Sequence, residues 1–287
     1  MNGTGLPPGW QPEPPAAWPE LGSGPLAIVF MLHTPGLTER EFYALETLRR
    51  HGEDHPRFLL VPEGMRIGFA HEDFRVVPLP AGNFASRAAY NAMMLTPLPY
   101  RLFSGYRQML IYQTDCLMLR TGIGAWAARG FSYVGPPWFS HGWFRSGLRA
   151  RPQIVGNGGF SLRSPADALA VLEGRLDPAR LAALPHLWRH FARKTHALVL
   201  MRQARQGRAA ADYLRDFPRP EDEFWSCHAP LFHPGWRVPT PHEALDFGFE
   251  LQPRRAWRLA GQRLPVGAHA WWKADEAFWR EILADQR

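Results

Sequence analysis

Apolar residues fall in short continuous runs separated by amphipathic stretches, the pattern left by strands buried on both faces with helices packed against them. The first run, Leu26–Leu32, is bounded by Gly24-Pro25 and by His33-Thr34-Pro35-Gly36 and predicts a buried strand. Thr38-Glu39-Arg40-Glu41 matches a capping box, in which a Thr side chain and a Glu three residues on satisfy each other's backbone N–H groups. It opens a helix through about Arg50, with Phe42, Leu45 and Leu48 at helical spacing. Phe58–Val61 and Val76–Leu79 predict two further strands, and Ala85–Met93 a second helix. The strand Met109–Tyr112 ends in Gln113-Thr114-Asp115, and a short helix around Gly124–Arg129 leads to a strand at Ser132–Gly135. Gly156-Asn157-Gly158-Gly159 then precedes a strand at Phe160–Arg163, after which Ser164-Pro165 starts a helix by the Ser N-cap and Pro N1 preferences. The stretch from about Pro185 to Gly207 reads as helical, and Asp275–Asp285 as a final amphipathic helix.

This rhythm predicts an α/β domain. The first 25 residues hold seven prolines and favour an extended lead-in arm, so the expected division is an arm over 1–25 and one domain over 26–287. With 46% hydrophobic residues the chain has ample material for a core, which excludes disorder as its main state. Cys116 and Cys227, the two cysteines, lie far apart, which excludes a disulfide framework and a cysteine-based zinc site. A reducing cytoplasm is the expected compartment. No apolar run is long enough for a membrane span, and the N-terminus has neither the basic nor the apolar region of a secretory leader. The net charge is +7, and of the 33 cationic residues only Lys194 and Lys273 are lysines. The arginines are scattered and form no basic block, so charge permits a phosphate-bearing ligand without pointing to nucleic acid.

Four places carry candidate chemistry. Asp115 follows an apolar strand, where open α/β sheets place ligand-binding groups at the carboxyl ends of their strands. It is either a ligand for a hard divalent cation or the cap of the following turn. The glycines of Gly156–Gly159 permit unusual backbone angles and close approach. They make either a substrate-facing loop or a plain tight turn, since the pattern is neither a dinucleotide fingerprint nor a P-loop. Glu221-Asp222-Glu223 opens a helix after Pro218 and Pro220, where acidic residues complement the helix dipole and where one carboxylate could also serve as a general base. His269 lies in the apolar stretch Val266–Trp272, as a ligand or as a hydrogen-bonded core residue. His186 and His190 have i, i+4 spacing but lack the Glu of a zinc-protease motif. The aromatic stretch Tyr133–Phe144 reads as a core corner or as a sugar or base platform.

The ordered series MLIYQTDCLML, FSYVGPPWF, VGNGGFSLRS, PEDEFWS and PVGAHAWW, from roughly Tyr90 to Trp272, resembles a family of GT-A-like glycosyltransferases long labelled a domain of unknown function. That family shows a strand ending in Gln-x-Asp, a Tyr-Ile-Gly-Ala-Pro-Trp block, Gly-Asn-Gly-Gly-x-Ser-Leu-Arg, a Glu-Asp pair and a late Gly-x-His. The resemblance implies a GT-A fold, a Rossmann-like single α/β domain with a central mixed, mostly parallel sheet flanked by helices, and transfer of a sugar from a nucleotide-diphosphate-sugar donor, UDP-sugars foremost, to a glycan, peptide or small-molecule acceptor. It implies Asp115 and His269 as ligands of Mn²⁺ or Mg²⁺, with Gln113 standing where many GT-A enzymes carry an Asp. It places Gly156, Asn157, Gly158 and Gly159 near donor sugar and acceptor, with Asn157 exchanging hydrogen bonds with sugar hydroxyls. Arg163 would anchor that loop or approach phosphate, and His33 and Thr34 would contact the nucleotide. Asp222, with Glu221 as alternative, would be the catalytic base if the reaction inverts configuration. The alternatives are a non-catalytic nucleotide-sugar-binding module and a sugar-phosphate nucleotidyltransferase. The second would need a Gly-rich basic signature where this chain has His33-Thr34-Pro35-Gly36.

Overall fold

The computed structural model describes residues 11–139, 152–183, 201–215, 217 and 219–284. Six strands form the main sheet: β1 (Gly24–Met31), β2 (Arg57–Pro62), β3 (Arg75–Leu79), β4 (Tyr106–Gln113), β6 (Tyr133–Val134) and β9 (Phe160–Arg163), in the order β3-β2-β1-β4-β9-β6. The pairs among β3, β2, β1 and β4 are parallel, and β9 runs antiparallel to both β4 and β6. The sheet is therefore mixed and mostly parallel, and between β6 and β9 in the chain β7 (Pro137–Phe139) and β8 (Pro152–Val155) pair antiparallel as a two-stranded sheet of their own. Side chains alternate between its two faces. Ala27, Val29, Met31, Met109 and Ile111 enter one core with residues of α2 (Arg87–Met94), α3 (Pro97–Leu102) and α5 (Pro165–Glu173). Leu26, Ile28, Phe30, Leu110 and Tyr112 enter the other with residues of α1 (Glu39–His51) and α4 (Ile123–Ala128). Burial on both sides is why these strands read as unbroken apolar runs.

The capping box of α1 forms as predicted: Glu41 N–H donates to Thr38 Oγ1 at 3.4 Å, and Thr38 N–H to Glu41 Oε2 at 2.9 Å. Its buried residues are Ala44, Leu45, Thr47 and Leu48, so Leu45 and Leu48 face the core as expected, while Phe42 is 44% exposed. Residues 11–23 of the expected arm are tied to the body. Glu13 N–H donates to Asn83 Oδ1, Leu21 is buried, and Tyr106 OH donates to the Leu21 carbonyl. The C-terminal helix starts at Trp271 and is broken at Asp275, whose Oδ1 accepts from Phe278 N–H and caps the second segment. Pro218, His186, His190, residues 185–200 and the end of the aromatic stretch, 140–144, lie outside the described residues.

Two details of pairing build the site. Tyr112 pairs with Phe160 across β4 and β9, so the glycine loop before β9 meets the carboxyl end of β4, where Gln113 N–H donates to the Gly159 carbonyl at 2.9 Å. A second sheet, β10 (Gly248–Phe249), β11 (Gly267–Ala268) and β5 (Leu117–Met118), pairs Phe249 with Ala268 and Ala268 with Leu117. One step beyond each of these residues, Glu250, His269 and Cys116 come to the same end of the sheet.

Candidate active site

Asp115 stands at the centre of this junction and is 5% exposed. Its Oδ1 lies 3.2 Å from His269 Nε2, and its Oδ2 accepts from Lys273 Nζ at 2.7 Å. Gln113 Oε1 is 3.4 Å from the same His269 Nε2. On the ring's other side, Nδ1 faces Glu250 Oε1 at 3.1 Å and Asn157 Nδ2 at 2.7 Å. Burial would raise the Asp115 carboxyl, but His269 and Lys273 outweigh it and hold the group well below the ordinary carboxylate range. Burial also works against the imidazolium, yet Asp115 and Glu250 push the His269 pKa up to about 10. Cys116 and Asp115 together with His269 form a group whose donor atoms lie within 4.8 Å of one another. The Cys116 thiol donates to the Gly159 carbonyl at 3.1 Å, and burial raises it well above its usual range, so it sits there as a neutral thiol.

The glycine loop frames the cluster. Asn157 has φ 96°, a region open to Asn at modest cost. Its Oδ1 accepts from the N–H groups of Gly159 and Phe160 at 2.8 and 2.6 Å, which leaves its amide nitrogen facing His269. The expected exchange of hydrogen bonds between Asn157 and sugar hydroxyls therefore has to be corrected: its side chain, 1% exposed, is committed inside the protein. A Cβ on Gly159 would collide with His269 Nε2, and one on Gly158 with Glu221 Oε1. These glycines admit the protein's own site groups.

Arg163 and Glu221 form a buried two-pronged ion pair, with Nη1 to Oε2 at 2.7 Å and Nη2 to Oε1 at 2.9 Å, and side chains 2% and 1% exposed. Arg163 also donates to Ser161 Oγ and to Tyr100 OH. Its Nη2 also reaches the Gly158 carbonyl of the loop, at 3.5 Å. Glu221 is corrected from candidate base to buried counter-ion, because both of its oxygens are consumed by the guanidinium. Asp222, next to it, is only partly buried. Burial and the neighbouring Glu221 and Glu250 carboxylates push its pKa up to about 7, with Arg163 and the Glu223 N–H opposing. The helix Glu221–Glu223 continues as a π-helical turn, Phe224–His228, a form often found beside functional sites. His33 and Thr34 lie at the end of β1 and are exposed, with Thr34 Oγ1 donating to the Gly36 carbonyl. Register places Met31 opposite Gln113, so they share the sheet edge with the cluster without joining it.

Sequence reasoning missed Lys273 and Glu250. Lys273 carried a signal, being one of two lysines in a chain whose other cations are arginines. Glu250 follows a short apolar segment, as Asp115 does.

Residues 73–269 match a family described as "Protein of unknown function (DUF5672)". The chain belongs to this family. No curated protein matches it. Among solved structures it is similar to galactosyltransferase LgtC in complex with donor and acceptor sugar analogs, at 11% identity over 90% of this chain and 94% of that one, with a TM-score of 0.46. It is likewise similar to an active-site mutant of LgtC, at 11% identity, the same coverage and a TM-score of 0.42. The family's matched region contains Asp115, the glycine loop, Asp222, Glu250 and His269, and ends on His269.

Proposed function

We propose that this protein is a glycosyltransferase of GT-A type that takes a nucleotide-diphosphate-sugar donor, with UDP-sugars the favoured class, and a hydroxyl-bearing glycan, peptide or small-molecule acceptor. The observation that carries the reading is the convergence of Asp115 Oδ1, Gln113 Oε1 and His269 Nε2 at the carboxyl end of β4, beside the switch from parallel to antiparallel pairing. Their separations from His269 Nε2, 3.2 and 3.4 Å, are close to the roughly 3 Å between adjacent ligands of a six-coordinate Mg²⁺- or Mn²⁺-sized ion. The donor set thus fits a divalent cation, with phosphate oxygens and water completing the shell, and the imidazole favours Mn²⁺ over Mg²⁺. When bound, such an ion supplies charge neutralisation for the departing nucleoside diphosphate.

The chain's own residues do the rest. Lys273, 62% exposed, is free to swing from Asp115 toward solvent or toward phosphate. Asp222, poised near neutrality and reachable, takes the proton of the acceptor hydroxyl, a role suited to a base whose pKa matches the working pH. Arg163 and Glu221 hold Asp222 and the glycine loop in place. Two buried free cysteines are in keeping with a cytoplasmic location, and no helix among the described residues is long and apolar enough to cross a membrane.

One observation favours a second reading, a nucleotide-sugar-binding module without turnover. Asp115 and Glu250 already have cationic partners within the chain, Lys273 at 2.7 Å and His269 at 3.2 Å from Asp115 and His269 at 3.1 Å from Glu250. Thermal-shift measurements with UDP-, GDP- and CMP-linked sugars, with and without Mn²⁺, followed by product analysis, separate the two. Catalysis requires Mn²⁺-dependent stabilisation by one donor together with release of its nucleotide. Stabilisation without release supports the module, and no stabilisation by any donor rejects both.

A further inference from the structure

Glu250 is fixed at both oxygens. Oε1 lies 3.1 Å from His269 Nδ1, and Oε2 accepts from Trp138 Nε1 at 3.1 Å. Asn157, pinned by its own two backbone bonds, points its amide nitrogen into the same space and adds a hydrogen bond to Glu250. The imidazole has little room to turn, because the Cα of Gly159 abuts Nε2 so closely that no Cβ fits there. A lone buried carboxylate is costly, so Glu250 is kept by the donors around it, the imidazole, the Asn157 amide and the indole N–H.

Resting on the reading of Asp115 and His269 as cation ligands, we propose that Glu250 is the positioning residue of that centre. It holds the Nδ1 proton of His269 so that the Nε2 lone pair faces the point shared with Asp115 and Gln113. In the tautomer with Nδ1 bare and Nε2 protonated, His269 would accept from Asn157 and could not ligate. Asn157 Nδ2, 2.7 Å from Nδ1, suits that state; the Glu250 carboxylate, 3.1 Å away, opposes it by offering Nδ1 an acceptor, and its charge makes the imidazole a more basic ligand. Trp138 serves the same end by fixing the carboxylate, which gives this half-buried tryptophan a task within the aromatic stretch.

Mn²⁺ alone is the probe, titrated into the full-length wild-type protein and into Glu250→Gln, Glu250→Ala, Trp138→Phe and Asp115→Ala, with bound ion counted by electron paramagnetic resonance. Imidazole nitrogen coupling to the ion is read by spin-echo modulation. Wild type is expected to bind Mn²⁺ with a nitrogen signal and Asp115→Ala to lose it. Glu250→Gln keeps the shape and circular dichroism of the wild type but binds Mn²⁺ about 10–100-fold more weakly, the usual cost of losing an outer-shell carboxylate. Trp138→Phe, which leaves Glu250 in place, is expected to lose less affinity than Glu250→Gln. In Glu250→Ala the nitrogen signal disappears. A folded Glu250→Gln that binds within twofold of wild type, with Glu250→Ala retaining the nitrogen signal, overturns the role of Glu250 and leaves the cation site standing. A wild type that binds no Mn²⁺, or binds it undiminished without Asp115, overturns the cation site and the inference with it.

Discussion

Replacing Glu221 by Gln tests whether that carboxylate is a counter-ion or a base. The substitution keeps size and shape but sets an amide N–H₂ against a guanidinium that is 2% exposed and donates to Glu221 at 2.7 and 2.9 Å. Removing one partner of a buried ion pair costs about 3–5 kcal/mol, because the other charge stays desolvated. With an unfolding entropy of about 2.1 cal/mol/K per residue, the 287-residue chain has a slope of roughly 0.6 kcal/mol per degree. The expected fall in Tm is therefore about 5–8 °C, read by calorimetry with urea titration as a second measure. The double variant Arg163→Met with Glu221→Leu should recover most of the loss, since matched apolar replacement of a buried pair is often neutral. A Glu221→Gln protein that melts within about 2 °C of wild type yet loses turnover would refute this account and restore Glu221 as a base candidate.

Asp222→Asn should abolish the ascending limb of the rate–pH profile near pH 7. Because the folded-state pKa of Asp222, about 7, exceeds its unfolded value, its contribution to stability is complete below about pH 4 and lost as pH rises through 7. Urea unfolding of Asp222→Asn should thus lack that loss, whereas an unchanged pH dependence would refute the assignment. Asp115→Ala should remove Mn²⁺-dependent stabilisation, about 2.7 kcal/mol at 100 times the Kd, over and above the intrinsic loss from leaving the buried His269 without this counter-ion. Thermal shift with Mn²⁺ alone checks it. Gly159→Ala forces a methyl against His269 and Gln113 and should cost about 1–3 kcal/mol by overpacking, together with Mn²⁺ binding. Retained binding would show that the ring and loop can separate.

The strands were legible because β1 and β4 are buried on both faces and leave continuous apolar runs. The chemistry of strand ends then singled out Asp115. What failed to show was anything decided by pairing between distant residues. Strands β5, β10 and β11 are two residues long and carry no periodicity, yet their register delivers Glu250 and His269 to Asp115 across more than 130 positions. Glu221 looked like an ordinary acidic first-turn residue. Its burial is set by Arg163, 58 positions earlier, and no local pattern announces that.

The glycine loop is the part of the site whose meaning changes most. Gly156 backs onto the Trp138 ring, Asn157 braces His269, Gly158 abuts Glu221, and Gly159 abuts His269 and Gln113. The Gly158 carbonyl is drawn on by Tyr90, Ser161 and Arg163. A loop spent in this way joins the Asp115–His269 cluster to the buried ion pair and, through it, to Asp222. Its side chains and the Gly158 and Gly159 carbonyls have little left to offer a sugar. On the proposed function, selectivity among donors and acceptors then falls to groups outside the loop. Asp222, partly open and next to Gly158, and Lys273, 62% exposed and bound to Asp115, are two charged candidates.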